Sequence, residues 1–172
     1  DAATWLSGRR DPEQTVRWNP RGVWVSCDAK LAISRGRTED AQGLVGTYLT
    51  VWQRQQGGEY RWLYHTAALD DPQPAPIPED TLEDDVIVVE SLETVQGHVT
   101  DCLSASEAAA LPRIALPQAP ASAEGASPDR TLEWRSVENA AGMRRVVANI
   151  IEDGQWRTAL DQIIPGPIRP IS

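Results

Sequence analysis

GTYLTVWQRQQGGEYRWLYHTAAL, residues 46–69, is the stretch of this chain that decides its fold. Apolar and polar side chains alternate on both sides of a short polar segment, and a period of two is typical of half-buried β-strands. Gly57 and Gly58 lie in the middle of that segment, where they tolerate the positive φ angles of a tight turn. The stretch therefore predicts an antiparallel β-hairpin.

The length of the connecting loop decides which side chains of this hairpin share a face. A three-residue loop places Trp52 opposite Trp62 and Thr50 opposite Tyr64, whereas a two-residue loop would shift every partner by one residue. We favour the longer loop because the shorter one places two arginines opposite each other. One face then carries Tyr48, Trp52, Tyr60, Trp62 and Tyr64, and the other carries Leu49, Val51, Leu63 and His65.

A second hairpin is predicted directly upstream. Apolar and polar residues alternate over residues 23–27, the triplet 28–30 (Asp-Ala-Lys) forms a tight turn, and residues 31–36 form the returning strand. Before this hairpin, residues 2–6 are consistent with the end of a helix.

Proline-rich sequence separates the rest of the chain into segments. Residues 70–80 (DDPQPAPIPED) predict an extended connector, because alternate prolines exclude a helix, and residues 112–128 predict a Pro/Ala/Ser-rich loop. Between them, residues 81–111 predict strands at 86–89 and 94–100, followed by a short helix. Ser104 and Glu107 have the spacing of a capping box at the start of that helix.

The last segment, residues 129–172, is predicted to form a β-hairpin extension with its turn at Asp153 and Gly154. Its sequence GQWR, residues 154–157, has the same order of residue types as GEYR, residues 58–61: glycine, polar, aromatic and arginine. An internal duplication and a shared preference for the same turn both account for this match.

Composition excludes several classes of partner. The formal net charge of −9 argues against nucleic acid and against an anionic membrane surface, both of which attract clustered Lys and Arg. The longest apolar runs are too short to span a bilayer. The seven Trp and three Tyr, without any Phe, suit half-buried faces, pocket walls and interfaces.

Two cysteines, Cys27 and Cys102, allow a disulfide if the protein works outside the cytoplasm, and otherwise are small buried apolar residues. They form no close-spaced ligand pair with each other or with His65 and His98, so we predict no metal site and no cofactor.

The run from residue 5 to residue 65 resembles bacterial proteins of the nuclear transport factor two-like superfamily, and most of all its SnoaL-like domains from bacterial envelopes. The resemblance rests on a strand of the form G-x-Y-x-T-V-W-x-R-Q, a glycine turn and an aromatic–basic–Trp strand. The matching residues are Gly46, Tyr48, Thr50, Val51, Trp52, Arg54, Gln55, Tyr60, Arg61 and Trp62. WVSCDAKLAIS, residues 24–34, resembles the hairpin that precedes this strand.

The resemblance implies a strongly curved antiparallel sheet wrapped around helices to form a cone, with a pocket for a small, mostly apolar molecule at its mouth. Members of the family include isomerases, dehydratases, epoxide hydrolases and cyclases, as well as binding and dimerisation modules. The fold therefore leaves the function open.

This chain departs from the family pattern in three ways. Family members begin with two or three helices, so we expect these helices upstream of Asp1 or another element inside the cone. The strand after the glycine turn commonly ends W-x-x-D, whereas here His65 replaces the acid. Residues 81–172 have no counterpart in the basic fold and resemble an extra sheet appended to it.

We accordingly predict a strand-rich α+β fold, in which a curved, cone-like antiparallel sheet with few helices carries a C-terminal β-hairpin extension. Residues 1–69 form the sheet portion of the family domain. Residues 70–80 form the connector, 81–111 the next strands and short helix, 112–128 the loop, and 129–172 the extension.

The predicted function is small-ligand binding by an exported bacterial protein, periplasmic or secreted, whose leader is not present in this chain. No catalytic site can be identified, and we expect a binding protein rather than an enzyme. The ligand-binding candidates are Tyr48, Trp52, Trp62, Tyr64 and His65. His65 is the weak candidate for acid–base catalysis, because imidazole titrates near neutral pH, but a histidine with a structural role is the commoner explanation of such a position.

Two alternatives remain open. The first is a lyase or isomerase that transfers a proton on an apolar small molecule in the cone. The second is a non-catalytic module that forms a homodimer through the aromatic hairpin sheet.

Overall fold

A computed structural model describes residues 16–75 and 94–165 of the chain. These residues form nine strands and one short helix, so the predicted strand-rich fold with few helices is confirmed. The strands are β1 (Arg17–Val25), β2 (Leu31–Glu39), β3 (Val45–Arg54), β4 (Tyr60–Leu69), β5 (Gln96–Val99), β6 (Ala121–Ala126), β7 (Leu132–Glu138), β8 (Arg144–Glu152) and β9 (Gln155–Ile164), and the helix is α1 (Ala105–Ala110). Three predicted features lie outside the described residues: the helix end at 2–6, the strand at 86–89 and residues 76–80 of the connector.

The strands form two sheets. The first sheet has the order β4-β3-β2-β1-β5 and the second has the order β6-β7-β8-β9. Neighbouring strands are antiparallel throughout except for β5, which pairs in parallel with β1. The C-terminal part of the chain therefore forms a complete four-stranded sheet, which is more than the hairpin extension expected from the sequence.

The two sheets are packed face to face over one hydrophobic core. Within the described residues, this core takes Trp24, Leu31, Ile33, Leu49 and Val51 from the first sheet and Leu132, Trp134, Val146, Ala148, Ile150, Leu160 and Ile164 from the second. Alternation places the inward residues of each strand on one side, since successive side chains of a strand point to opposite faces. The first sheet therefore keeps an outer face that is turned away from the second sheet.

The outer face of the second sheet is covered by α1 and the segment that follows it. Ser104 and Glu107 form the predicted capping box at the start of the helix, and Ala108 packs on Ile151 and Trp156. The following segment is fixed by an ion pair of 2.6 Å between Arg113 and Glu133. Residues 121–126 lie within the stretch expected to be a loop but pair with β7 as an edge strand, because alternating Ala and Ser fit a ladder as well as a loop.

The turns between the first two strands of the two sheets are built alike. SCDAKL (residues 26–31) and SPDRTL (residues 127–132) each close with a backbone hydrogen bond from the serine to the leucine, of 2.9 and 2.8 Å. In each, the serine hydroxyl donates to the aspartate two residues later, at 2.7 and 2.5 Å. The residue after that aspartate is left-handed in both turns, with φ 53° at Ala29 and 62° at Arg130.

The next turn also recurs. In DAQGL (residues 40–44) and NAAGM (residues 139–143), the first side chain accepts hydrogen bonds from the amides two and four residues later, all between 2.9 and 3.0 Å. The glycines have φ of 78° and 79°. Two matched turns in matched places favour an internal repeat of a four-stranded meander over a shared preference for one turn.

A disulfide joins Cys27, in the first of these turns, to Cys102, just after β5, across a sequence separation of 75 residues. Of the two alternatives that the sequence leaves open, a disulfide or two separate buried cysteines, the structure shows the disulfide. The amide of Cys27 also donates a hydrogen bond of 3.1 Å to the hydroxyl of Thr131 in the second sheet's first turn, so the disulfide lies where the first sheet meets the second.

Among the described residues, none of the helical structure is long and apolar enough to cross a membrane.

Candidate functional site

The hairpin β3–β4 has the predicted three-residue loop but contains a β-bulge that sequence reasoning missed. Trp52 is opposite Trp62, as predicted, and the next pair is Val51 with Tyr64, which leaves Leu63 without an opposite partner. A bulge adds one residue to one strand and exchanges the faces of every residue beyond it. Thr50 is therefore opposite His65 and not Tyr64.

Because of this bulge, Tyr64 and His65 lie on the faces opposite to those predicted. Tyr64, expected beside Trp52 and Trp62, lies on the core side, where its ring packs 5.2 Å from that of Trp134 and its hydroxyl is 2.9 Å from that of Ser136. His65, expected beside Leu49 and Val51, lies on the outer face. The structure thus brings four of the five candidate residues together, and it places Tyr64 on the opposite side of the sheet.

The outer face of the first sheet holds an open cleft of about 590 Å³, which we call the aromatic cleft. Its described lining consists of Trp18, Tyr48, Thr50, Trp52, Trp62 and His65. These side chains come from β1, β3 and β4, which the sheet pairing holds in fixed register. The described lining includes no Asp, Glu, Lys or Arg.

Trp18 is a lining residue that the sequence analysis did not select. Its ring lies edge-on to Tyr48 at 4.7 Å and to His65 at 5.3 Å between centroids. Such edge-to-face contacts stabilise aromatic pairs and fix their orientation. The sequence VRWNPRG, residues 16–22, does alternate around Trp18. However, Pro20 argues against a strand there, because proline cannot donate a hydrogen bond to a neighbouring strand. In the structure a bulge beside Pro20 accommodates it.

Ser34 holds the base of the cleft from β2. The indole Nε1 of Trp52 donates a hydrogen bond of 2.8 Å to its hydroxyl. Burial raises the pKa of the Tyr48 phenol, and the nearby Ser34 side chain opposes that rise as the smaller effect. The indole N–H of Trp52 is therefore satisfied within the sheet surface, and the rings of Trp52 and Tyr48 leave apolar surface to the cleft.

His65 and Thr50 are the polar pair of the cleft. The Nδ1 atom of His65 is 2.9 Å from the Thr50 hydroxyl, and Thr50 is buried. Burial lowers the pKa of the His65 imidazole, so the ring is neutral at pH 7. A neutral imidazole beside a hydroxyl can accept or relay a proton, but the described lining supplies no carboxylate to act as its partner.

His98 lies elsewhere and takes no part in the cleft. Its ring stacks on Trp24 at 5.9 Å, and its Nδ1 is 3.9 Å from Glu152 across the junction of the sheets. In the part of the chain that the structure describes, no group of three or more His, Cys, Asp or Glu side chains could hold a metal ion.

A smaller cleft of about 360 Å³ lies where the ends of β4 and β9 meet. Its lining combines Asp70 and Asp71 with aliphatic residues such as Leu69, Ile163 and Ile164. It lacks the ring surface that a small apolar ligand needs, so we select the aromatic cleft as the candidate site.

Comparison of this chain with protein-family models, curated proteins and solved structures finds no match in any of the three.

Proposed function

We propose that this domain binds a small, mostly apolar molecule in the aromatic cleft and does not transform it. The observation that carries the proposal is a concave surface of about 590 Å³ whose described walls are three Trp, one Tyr, one Thr and one His, without a charged side chain. Ligand sites are typically concave, mostly apolar and supplied with a few fixed polar groups. Here the polar groups are the pair of Thr50 and His65.

Exposed ring surface gives this site its affinity. Trp62 is 65% exposed and Trp18 is 50% exposed, although both belong to strands of a packed sheet. Covering roughly 100 Å² of this surface contributes about 2–3 kcal/mol to binding, at about 25 cal/mol per Å². Exposed apolar patches rimmed by polar residues mark binding sites more often than chance.

Kinship with the nuclear transport factor two-like superfamily is part of this proposal. In that view β1–β4 are the curved family sheet, the aromatic cleft is the mouth of its cone, and β6–β9 are the appended sheet. The support is the antiparallel meander β1–β4 with the second sheet packed on the face opposite the cleft. Export is supported by the disulfide between Cys27 and Cys102, since such bonds persist in oxidising compartments.

Ligand binding is tested by titrating the protein with a panel of small apolar and aromatic compounds while recording tryptophan fluorescence and binding heat. We expect saturable binding that Trp62→Leu weakens at least about tenfold. Leu63→Ala is the matched control, because Leu63 is the next residue of β4, is 50% exposed and lies outside the lining. Equal loss in both variants, or no binding by any compound, would contradict the proposal.

Proton-transfer catalysis on an apolar molecule is the second candidate, and the 2.9 Å contact between Thr50 and His65 favours it. The same compounds, incubated in deuterated water, test it. Solvent deuterium incorporated at a carbon by the protein, and not by His65→Gln, would establish an enzyme. Binding without exchange supports the binding function.

Homodimerisation is the third candidate, and the exposure of Trp18 and Trp62 on one sheet face favours it. A second copy seated on this face would close the cleft. Light scattering of the wild type and of Trp62→Glu decides the matter, because a dimer through this face would dissociate in the variant, whereas a monomer in both supports an open cleft.

A further inference from the structure

We infer that the ligand of the aromatic cleft is an organic cation, of the quaternary or methylated ammonium class. The inference rests on the proposed binding function and specifies the chemistry of its ligand. Its basis is a cleft that gathers Trp18, Tyr48, Trp52 and Trp62 and supplies no charged side chain among its described lining.

Aromatic rings provide the attraction. The faces of Trp and Tyr rings carry the negative part of a quadrupole. Several rings around one cleft therefore attract a cation that has an apolar surface and makes few hydrogen bonds to water. A methylated ammonium ion fits this description, whereas a hard metal ion needs several oxygen ligands. An anion finds no charged partner in the described lining, and the faces of the rings repel it.

No positive group of the described lining competes with such a ligand. His65 is the one ionisable nitrogen base in that lining, and burial lowers its pKa below the ordinary value of 6.5, so the ring is mostly neutral at pH 7. Its contact with the buried Thr50 hydroxyl leaves it as a neutral dipole at the wall of the cleft.

The same molecule already pairs cations with Trp rings at two places outside the cleft. On the outer face of the second sheet, the guanidinium of Arg113 lies 5.3 Å from the ring of Trp156. On the inner side of the first sheet, Arg35 lies 5.7 Å from the ring of Trp24. The outer face of the second sheet, like the cleft face of the first, is turned away from the shared core, and there the chain itself supplies the cation.

The charge of the whole chain acts in the same direction. A formal net charge of −9 draws cations toward the surface and raises their local concentration, and it repels anionic ligands. The long-range part of this attraction is screened at physiological salt, so the ring contacts must supply the selectivity.

The test is a pair of probes with the same shape and different charge. Choline carries a trimethylammonium group, and 3,3-dimethylbutan-1-ol replaces its nitrogen by carbon. The calorimetric titrations are done at about 150 mM salt, where the Debye length is about 8 Å and long-range attraction is screened. We expect choline to bind with an affinity about three- to thirty-fold higher than that of the alcohol. Trp62→Leu should remove this preference, Trp62→Tyr should retain part of it, and Leu63→Ala should leave it intact.

The outcomes separate the two claims. Equal affinity for both probes, or preference for the alcohol, overturns the cation inference and leaves the binding function standing. Failure of choline in a cleft that binds other apolar compounds overturns it as well. If no compound binds the cleft at all, the proposed function and the inference fail together. Circular dichroism of each variant separates lost affinity from lost folding.

Discussion

Trp52 and Trp62 are directly opposed across β3 and β4, and the next residue of β4, Leu63, has no partner on β3. This arrangement joins two otherwise separate requirements. It keeps both indoles on the outer face, where they line the cleft, and it turns Tyr64 inward to the core. The bulge at Leu63 is thus what lets one strand serve the site and the core at once.

Deleting Leu63 is expected to leave the fold and the cleft in place. The pairs Trp52–Trp62 and Val51–Tyr64 remain possible in a regular ladder, so we expect the free energy of unfolding to change by about 1 kcal/mol or less. Deleting Thr66, from the regular part of the ladder, exchanges faces beyond it and should lower the melting temperature strongly. Similar thermal melts for the two deletions would show that Leu63 is not a bulge residue.

Replacing Ser34 by alanine removes the acceptor of the Trp52 indole N–H. We expect a loss of about 1–3 kcal/mol in denaturant unfolding, because the part-buried indole N–H of Trp52 loses its hydrogen bond. Ser106→Ala, in the exposed first turn of α1, is the control and should be nearly neutral. A stability of Ser34→Ala equal to that of the control would mean that water replaces the serine.

The disulfide between Cys27 and Cys102 closes a span of 75 residues. Changing both cysteines to serine should lower stability by about 2–4 kcal/mol, chiefly because the unfolded chain gains freedom. Mass spectrometry of the non-reduced protein after alkylation should find no free thiol. Two alkylated cysteines would contradict the bond and would remove the support for export.

The stability contributed by neutral His65 should be lost in mild acid. Burial places its folded pKa below the ordinary value of 6.5, so between these two values the unfolded chain binds more protons than the folded one. The contribution is complete above pH 6.5 and falls as the pH drops through the folded pKa.

Proton NMR of the imidazole and melting curves over about pH 5–8 measure this effect. We expect the His65 resonance to titrate below 6.5. The melting temperature of His65→Gln should fall less than that of the wild type as the pH is lowered. The melting temperature of His98→Gln should fall as much as that of the wild type. A titration of His65 above its ordinary value would reverse the sign and contradict its burial.

The local pattern of the chain could be predicted further than its assembly. Alternation and turn chemistry predicted both hairpins of the first sheet, the opposition of Trp52 and Trp62, and the capped helix at Ser104, because each depends on residues close in sequence. The packing of the second sheet on the first depends on contacts such as Tyr64 with Ser136, 72 residues apart, which no local pattern reports.

The site was predicted in part for the same reason. Tyr48, Trp52, Trp62 and His65 line the cleft, but the face of His65 was wrong because a bulge has no reliable sequence signal when it falls on a residue as ordinary as Leu63. Trp18 was missed because it belongs to another hairpin and meets Tyr48 only after the sheet has formed.

The central claim is that the outer face of the first sheet is a ligand site walled by tryptophans. Fluorine NMR of protein labelled with 5-fluorotryptophan, with resonances assigned by single Trp→Phe changes and titrated with choline and the apolar panel, tests it most directly. The account predicts that the resonances of Trp18, Trp52 and Trp62 move on binding while those of the buried Trp134 and Trp156 stay fixed. Shifts confined to the buried pair, or no shift with any compound, would contradict it.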